Sequence, residues 1–249
     1  MIDLQGRTVV ITGAGRGLGA AFAVVMADLG AHVVMAGRNP ETLGAMAESI
    51  RLRTGRRPET AVFDLADAGE VTRWAKARRD EGGKIDVLVN NAAQWLPGAM
   101  DSHDAHAIAS TIASTVTGTL LLTRGLLPLL EASGGGDVVN IVSISGLPNV
   151  ALHGASVAFV AAKHGQAGLT DALRQELAPR HVRVIGVYPP TLDDISPLEA
   201  QWNEPRFPGS RANNRDVVDT VLFALSRPRH LTVSTVVLEG ATGGLHPTS

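Results

Sequence analysis

Arg7-Thr8-Val9-Val10-Ile11-Thr12, running into Gly13-Ala14-Gly15-Arg16-Gly17-Leu18-Gly19, decides the fold. The β-branched run predicts a buried strand, and the glycines behind it a tight turn. Residues 17–29 then show helical spacing and stop at Gly30. Strand, glycine turn and helix start, in that order, make a cradle for phosphate. Backbone approaches closely where no Cβ intervenes, and the helix N-terminus aims amide donors at the anion. A glycine triplet alone is weak evidence. Opening a βαβ unit, it marks a dinucleotide site.

Outward from that unit, strand and helix signals alternate. Strands are expected at 32–36, 60–63, 85–89, 137–142, 182–187 and 233–238, with helices at 40–54, 67–81, 103–131, 156–179 and 213–226. Seven strands with intervening helices predict a parallel sheet covered on both faces. Val87-Leu88-Val89 and Val138-Val139-Asn140-Ile141-Val142 are nearly all apolar, as that burial requires. No linker or repeat divides residues 1–249, so one domain is expected. The proline-rich stretch 189–214 is the one long non-periodic piece, either a lid over a site or an irregular loop.

Composition narrows the function. A net charge of −2 and the lack of a basic block argue against nucleic acid as a partner. With no cysteine, thiolate metal sites and cysteine nucleophiles are excluded, and the usage fits a cytoplasmic protein. Met1-Ile2-Asp3-Leu4 leads into a strand with no basic or apolar leader region, so no signal peptide is expected. The longest uncharged run, 107–123, is interrupted by Ser, Thr and Gly118 and reads as a buried helix rather than a membrane span. His103 and His106 share a helical face, but with only Asp101 and Asp104 nearby no metal site is expected.

The glycine spacing T-G-x-x-x-G-x-G resembles the short-chain dehydrogenase/reductase family, and further motifs follow at similar intervals. Asp64-Leu65 resembles the pair that contacts adenine. Asn90-Asn91-Ala92-Ala93 is similar to N-N-A-G, with Asn91 and Ala92 at the coenzyme. Asn140-Ile141-Val142-Ser143 resembles the segment carrying the catalytic serine, and Lys163 falls on the catalytic lysine, which also holds the coenzyme ribose. Tyr188-Pro189-Pro190-Thr191 stands where the family has P-G beside the nicotinamide, making Pro189 and Thr191 candidate contacts. The resemblance implies a Rossmann-type, doubly wound α/β/α sandwich with sheet order 3-2-1-4-5-6-7. It also implies a homo-oligomer, dimer or tetramer, built on the 103–131 and 156–179 helices.

Charge argues the coenzyme. A site for NAD presents an acid after the second strand, whereas one for NADP presents cations to the 2′-phosphate. Here that strand ends Met35-Ala36-Gly37-Arg38-Asn39, and Arg16 lies inside the glycine loop. Both arginines together favour NADP(H).

The catalytic pattern is where the resemblance departs. The family's asparagine, serine, tyrosine and lysine positions read Thr115, Ser143, Phe159 and Lys163. Phe159 has no proton to give, and losing a positioned general acid costs about 10²–10⁴ in rate. Ser143 and Phe159 are sixteen apart, against about thirteen in the family pattern. The apolar insert 147–154 would lie over a substrate. The chain's single tyrosine, Tyr188, could reach toward the nicotinamide, though packing is its commoner role. His153, in the insert, has the right intrinsic pKa, near ~6.5. His164 points a third of a turn from Lys163 and is discounted. Three readings remain: an NADP(H)-dependent reductase of a hydrophobic, polyketide-like carbonyl compound with an altered proton source; a coenzyme-binding enzyme of non-redox cyclisation or dehydration; or a silent or engineered Tyr-to-Phe form.

Overall fold

The seven strands are β1 (Thr8–Thr12), β2 (His32–Gly37), β3 (Glu59–Val62), β4 (Val87–Asn90), β5 (Asp137–Ile141), β6 (Arg183–Tyr188) and β7 (Thr235–Val237). All pair in parallel in the order 3-2-1-4-5-6-7, as expected. A computed structural model of the chain describes residues 2–151 and 154–240. Alternation along the strands sorts their side chains onto two faces. Val9, Ile11, Val87, Val89, Val139 and Ile141 pack with α1 (Gly17–Asp28), α2 (Pro40–Thr54) and α7 (Asn214–Leu225). Val10, Leu88, Val138 and Val184 face the opposite layer, α3 (Ala68–Glu81), α5 (Gly118–Ala132) and α6 (Val157–Leu177).

Helix ends follow their local chemistry. Asn39 caps α2, its side chain accepting from the Glu41 and Thr42 amides, and Pro40 supplies a first residue that has no amide to satisfy. Gly55 closes the same helix in the left-handed conformation. Asn213 and Asp216 form a reciprocal capping box at the start of α7.

One expected element divides. In place of a single helix over 103–131 there is a short 3₁₀ turn at Met100–Ser102, then α4 (Ala105–Ile112), a π-helical turn at Ala113–Thr117, and α5. Close packing accompanies the break: a Cβ on Gly165 of α6 would lie 2.9 Å from the Val116 side chain, and one on Gly118 only 2.2 Å from the Leu65 carbonyl oxygen. By length and composition, Ala105–Ala132 could cross a membrane. Here Leu122, Leu126 and Leu130 are instead buried against the sheet.

At the N-terminal edge of the sheet, β5 and β6 begin with a buried ion pair. Asp137 and Arg183 face each other in register. The guanidinium grips both carboxylate oxygens, Nε–Oδ1 at 2.6 Å and Nη2–Oδ2 at 3.0 Å. It also donates to the carbonyls of Leu225, Arg227 and Leu231. Arg229 adds a second, half-exposed cation to Asp137 at 2.8 Å.

Candidate active site

A cavity of about 540 Å³ opens at the carboxyl ends of β1 to β4, against the head of α1. Its floor is the glycine loop. Gly13 sits at φ +68° with Asn91 and Ala92 so close that a Cβ would lie 3.1 Å from each. A Cβ on Gly19 would be driven into the Gly13 carbonyl. Only glycine allows this approach. Thr12 locks the loop to β4, its hydroxyl accepting from the Asn91 and Ala92 amides at 3.0 Å while its carbonyl accepts from Asn91 Nδ2. Arg16 is the N-cap of α1 but gives it no side-chain cap, so the first-turn amides remain open toward the cavity.

The expected coenzyme residues fall on this wall in four groups. Gly13, Gly15, Arg16, Gly17, Leu18 and Gly19 supply the loop; Arg38 and Asn39 follow β2; Asp64 and Leu65 follow β3; Asn91 and Ala92 follow β4. Asn39 is committed to capping α2, which limits it to lining. Arg38 forms a loose ion pair with Asp64, Nη1–Oδ2 3.6 Å, both side chains being exposed.

Three expected contacts lie elsewhere. Pro189 and Lys163 are buried and Thr191 exposed, and none of them lines the cavity. Asp194 does, three residues beyond Thr191. A Cβ on Gly17 would lie 3.7 Å from both Asp194 carboxylate oxygens, and Asn214 Nδ2 holds Oδ1 at 2.6 Å. The stretch 189–214 therefore reaches over the glycine loop, tethered by the Asp193–Asn213 bridge and by Arg215, which donates to the Trp202 carbonyl.

Beyond the cavity, Ala93 and Gln94 continue to Trp95, whose ring meets Phe159 edge to face at 4.8 Å. Two backbone bonds fasten this contact, Gly98 N to Gly154 O and Ser156 N to Leu96 O, with an antiparallel bridge at Pro97–Ala155. Lys163 lies one turn along α6. Its Nζ is 5.8 Å from the Phe159 ring centre and donates to Ile141 O at 3.0 Å and Gln166 Oε1 at 2.9 Å. Burial alone pushes the Lys163 amine down to about 7. Ser143 accepts the Ser145 amide at 3.1 Å, capping the short turn after β5.

Other candidates separate from this group. Thr115 is fully buried in the π-helical turn, and its hydroxyl has no partner among the described residues; its neighbour Ser114 is the one that reaches the cavity. Tyr188 points the wrong way. Its ring packs beside Gly186 and Thr170, seven residues past Lys163 or about 10 Å along the helix. Burial there, with the nearby Asp171, raises its phenol above the ordinary value. His164 is exposed and bonded to Val160 O. His153 lies outside the described residues. Sequence reasoning missed Thr42, Gln94 and Asp194 on the cavity wall, and Gln166 beside the lysine.

Relatives of known sequence or structure agree with this arrangement. Residues 7–206 match the short chain dehydrogenase family. An uncharacterised oxidoreductase of Staphylococcus saprophyticus is 30% identical over 238 residues, 96% of this chain and 99% of that one. A metagenomic short-chain oxidoreductase, solved in complex with NADP, superposes with a TM-score of 0.78 at 30% identity over 95% of this chain and 98% of its own. A short chain dehydrogenase from Shigella flexneri complexed with NADP gives 0.79 at 26% identity, over 94% and 98%. The family match takes in β1 to β6 and the glycine loop, and the chain belongs to the short-chain dehydrogenase/reductase family.

Proposed function

We propose that the protein is an NADP(H)-dependent oxidoreductase that reduces a carbonyl group on an apolar small molecule, with a proton source other than residue 159. The observation that carries this reading is the pair Arg16 and Arg38 at the cavity, with no acid at the end of β2. Guanidinium groups pair with phosphate through charge-assisted bonds. Asp64 holds Arg38 only through an exposed contact, so a 2′-phosphate can take it over at little cost. Both solved relatives described above are complexes with NADP. The cavity fits such a coenzyme, because the close backbone at Gly13 and Gly19 and the open amides of α1 suit a pyrophosphate.

When bound, the coenzyme supplies the hydride. The chain's residues then have to bind, orient and protonate. Asn91, Ala92 and the glycine loop hold the dinucleotide, and Ser143 offers a hydroxyl to the substrate oxygen. Phe159 and Trp95 give an apolar wall in place of an acid. Lys163 anchors the ribose, and its Nζ lies 5.8 Å from the Phe159 ring centre. A second reading, a non-redox or silent coenzyme-binding protein, is favoured by the same Phe159, whose ring is locked by Trp95 where the family has a phenol.

Titration with NADPH and NADH, followed by coenzyme oxidation over a panel of ketones, tests the reading. NADPH should bind much the tighter, and Arg38→Ala should weaken NADPH selectively by about 1–3 kcal/mol. Equal affinities in the unmodified protein would sink the charge argument.

We further infer a cytoplasmic homo-oligomer with a small-molecule substrate and no nucleic-acid or membrane partner. Ile112, Leu120 and Val157 leave apolar surface exposed on α4, α5 and α6, the helices expected to pair. Sedimentation at micromolar concentration should give a dimer or tetramer; a monomer refutes the assembly.

A further inference from the structure

Gln166 follows Lys163 by three residues on α6, which puts both on one helix face. Gln166 is completely buried, an expensive place for an amide unless it is bonded. Its Oε1 spends that position on Lys163 Nζ at 2.9 Å, and its Nε2 has no partner among the described residues. With Ile141 O at 3.0 Å on the other side, two of the three N–H bonds of the ammonium are fixed, one by β5 and one by α6. The amine cannot swing, and one N–H remains for a ligand.

No charge competes with this hold among the described residues around it. β5 brings Asn140 and Ile141, the turn after it Ser143 and Ser145, the π-helical turn Ser114 and Thr115, and α6 itself Phe159, all uncharged; of the other elements packed on α6, β6 carries Tyr188, whose ring lies beside Thr170, and α4 carries His106. Burial is the sole cause of the lowered basicity of Lys163. His164, on the same helix, is turned outward to Val160 O. The Gln166 oxygen is thus the side-chain acceptor favouring the protonated amine.

We propose that Gln166 is a positioning residue: it fixes the Lys163 amine at the coenzyme's nicotinamide end and sets the pH at which that amine carries its proton. This rests on the NADP(H) reading above. NADP⁺ and NADPH both carry the 2′-phosphate and differ in the charge of the nicotinamide ring. The ratio of their dissociation constants therefore reads the charge beside that ring, and titration of the phosphate cancels.

The experiment measures both constants by fluorescence or calorimetry from about pH 5.5 to 9, across the range where a perturbed lysine titrates. In the unmodified protein the preference for NADPH should fall by roughly tenfold as pH rises and the amine loses its charge. Gln166→Met keeps the volume and removes the acceptor, so the midpoint moves to lower pH. Gln166→Glu puts a carboxylate against the amine and moves it to higher pH. Lys163→Met flattens the ratio. A merely structural glutamine would not lower the midpoint when replaced by Met, and a midpoint in folded Gln166→Met that coincides with that of the unmodified protein overturns the proposal. A ratio that is flat in the unmodified protein, with both coenzymes bound, also overturns it while leaving the NADP(H) reading standing. If neither coenzyme binds, that reading has itself failed. Should Gln166→Met not fold, Gln166→Leu, which also lacks the acceptor, takes its place, and a midpoint unchanged from that of the unmodified protein overturns the proposal.

Discussion

Asp137→Ala should lower the stability of the fold by about 3–5 kcal/mol, whereas Arg229→Ala should cost no more than about 1 kcal/mol. The difference lies in what each change leaves behind. Among the described residues Asp137 is the only carboxylate paired with the buried Arg183, gripping it through both oxygens. Removing it strands a guanidinium at the junction of β5 and β6, still tied to the carbonyls of Leu225, Arg227 and Leu231 but without a counter-charge. Arg229 is half exposed, and its loss leaves the Asp137–Arg183 pair intact. In a chain of this size, thermal unfolding should move down on the order of 6–20 °C for Asp137→Ala and by a few degrees at most for Arg229→Ala. Equal shifts in the two variants would show that the pair carries no special burden.

How much of this was legible in sequence depends on whether the cause is local. The strands were, because Val9–Thr12, Val87–Val89 and Val138–Val142 announce burial by composition, and their order follows from the family pattern. The break at Ala113–Thr117 was not. Nothing in A-S-T-V-T interrupts a helix, and the turn lies where α6 and the Leu65 carbonyl press close on either side. The glycine loop, Arg38, Asp64 and Asn91 were legible because each follows directly on a strand end. Asp194 and Gln94 reach the cavity through tertiary approach, which spacing does not record.

Two errors at the site had a readable signal. Tyr188 shares a strand face with Val184 and Gly186, and Val184 belongs to the layer of α3, α5 and α6; period-two counting alone turns the phenol toward Thr170. Gln166 is a glutamine three residues from a lysine on a helix face that otherwise carries apolar or small residues to the sheet. Polar side chains at such a position need a partner, and Lys163 was the candidate within reach.

Phe159→Tyr should leave turnover of a ketone that the unmodified protein accepts unchanged or lower it. The ring at 159 is 7% exposed and set edge-on to Trp95, so a hydroxyl there brings a polar group into an apolar wall. Its proton is also not required if Lys163 provides one. Reduction consumes a proton, and an amine lowered to about 7 holds it below that pH and loses it above. The rate of reduction should therefore fall as pH rises through about 7, and Phe159→Tyr should leave that limb in place. A disabled reductase behaves in the opposite way: restoring the phenol would raise turnover by roughly 10²–10⁴ and replace the lysine limb with that of the tyrosine. A silent protein shows neither turnover nor gain, because Thr115 and the longer 147–154 insert remain in the variant. Pre-steady-state oxidation of NADPH by both proteins across the pH range separates the three, and a gain of that size at residue 159 would overturn the reading that the proton comes from another group.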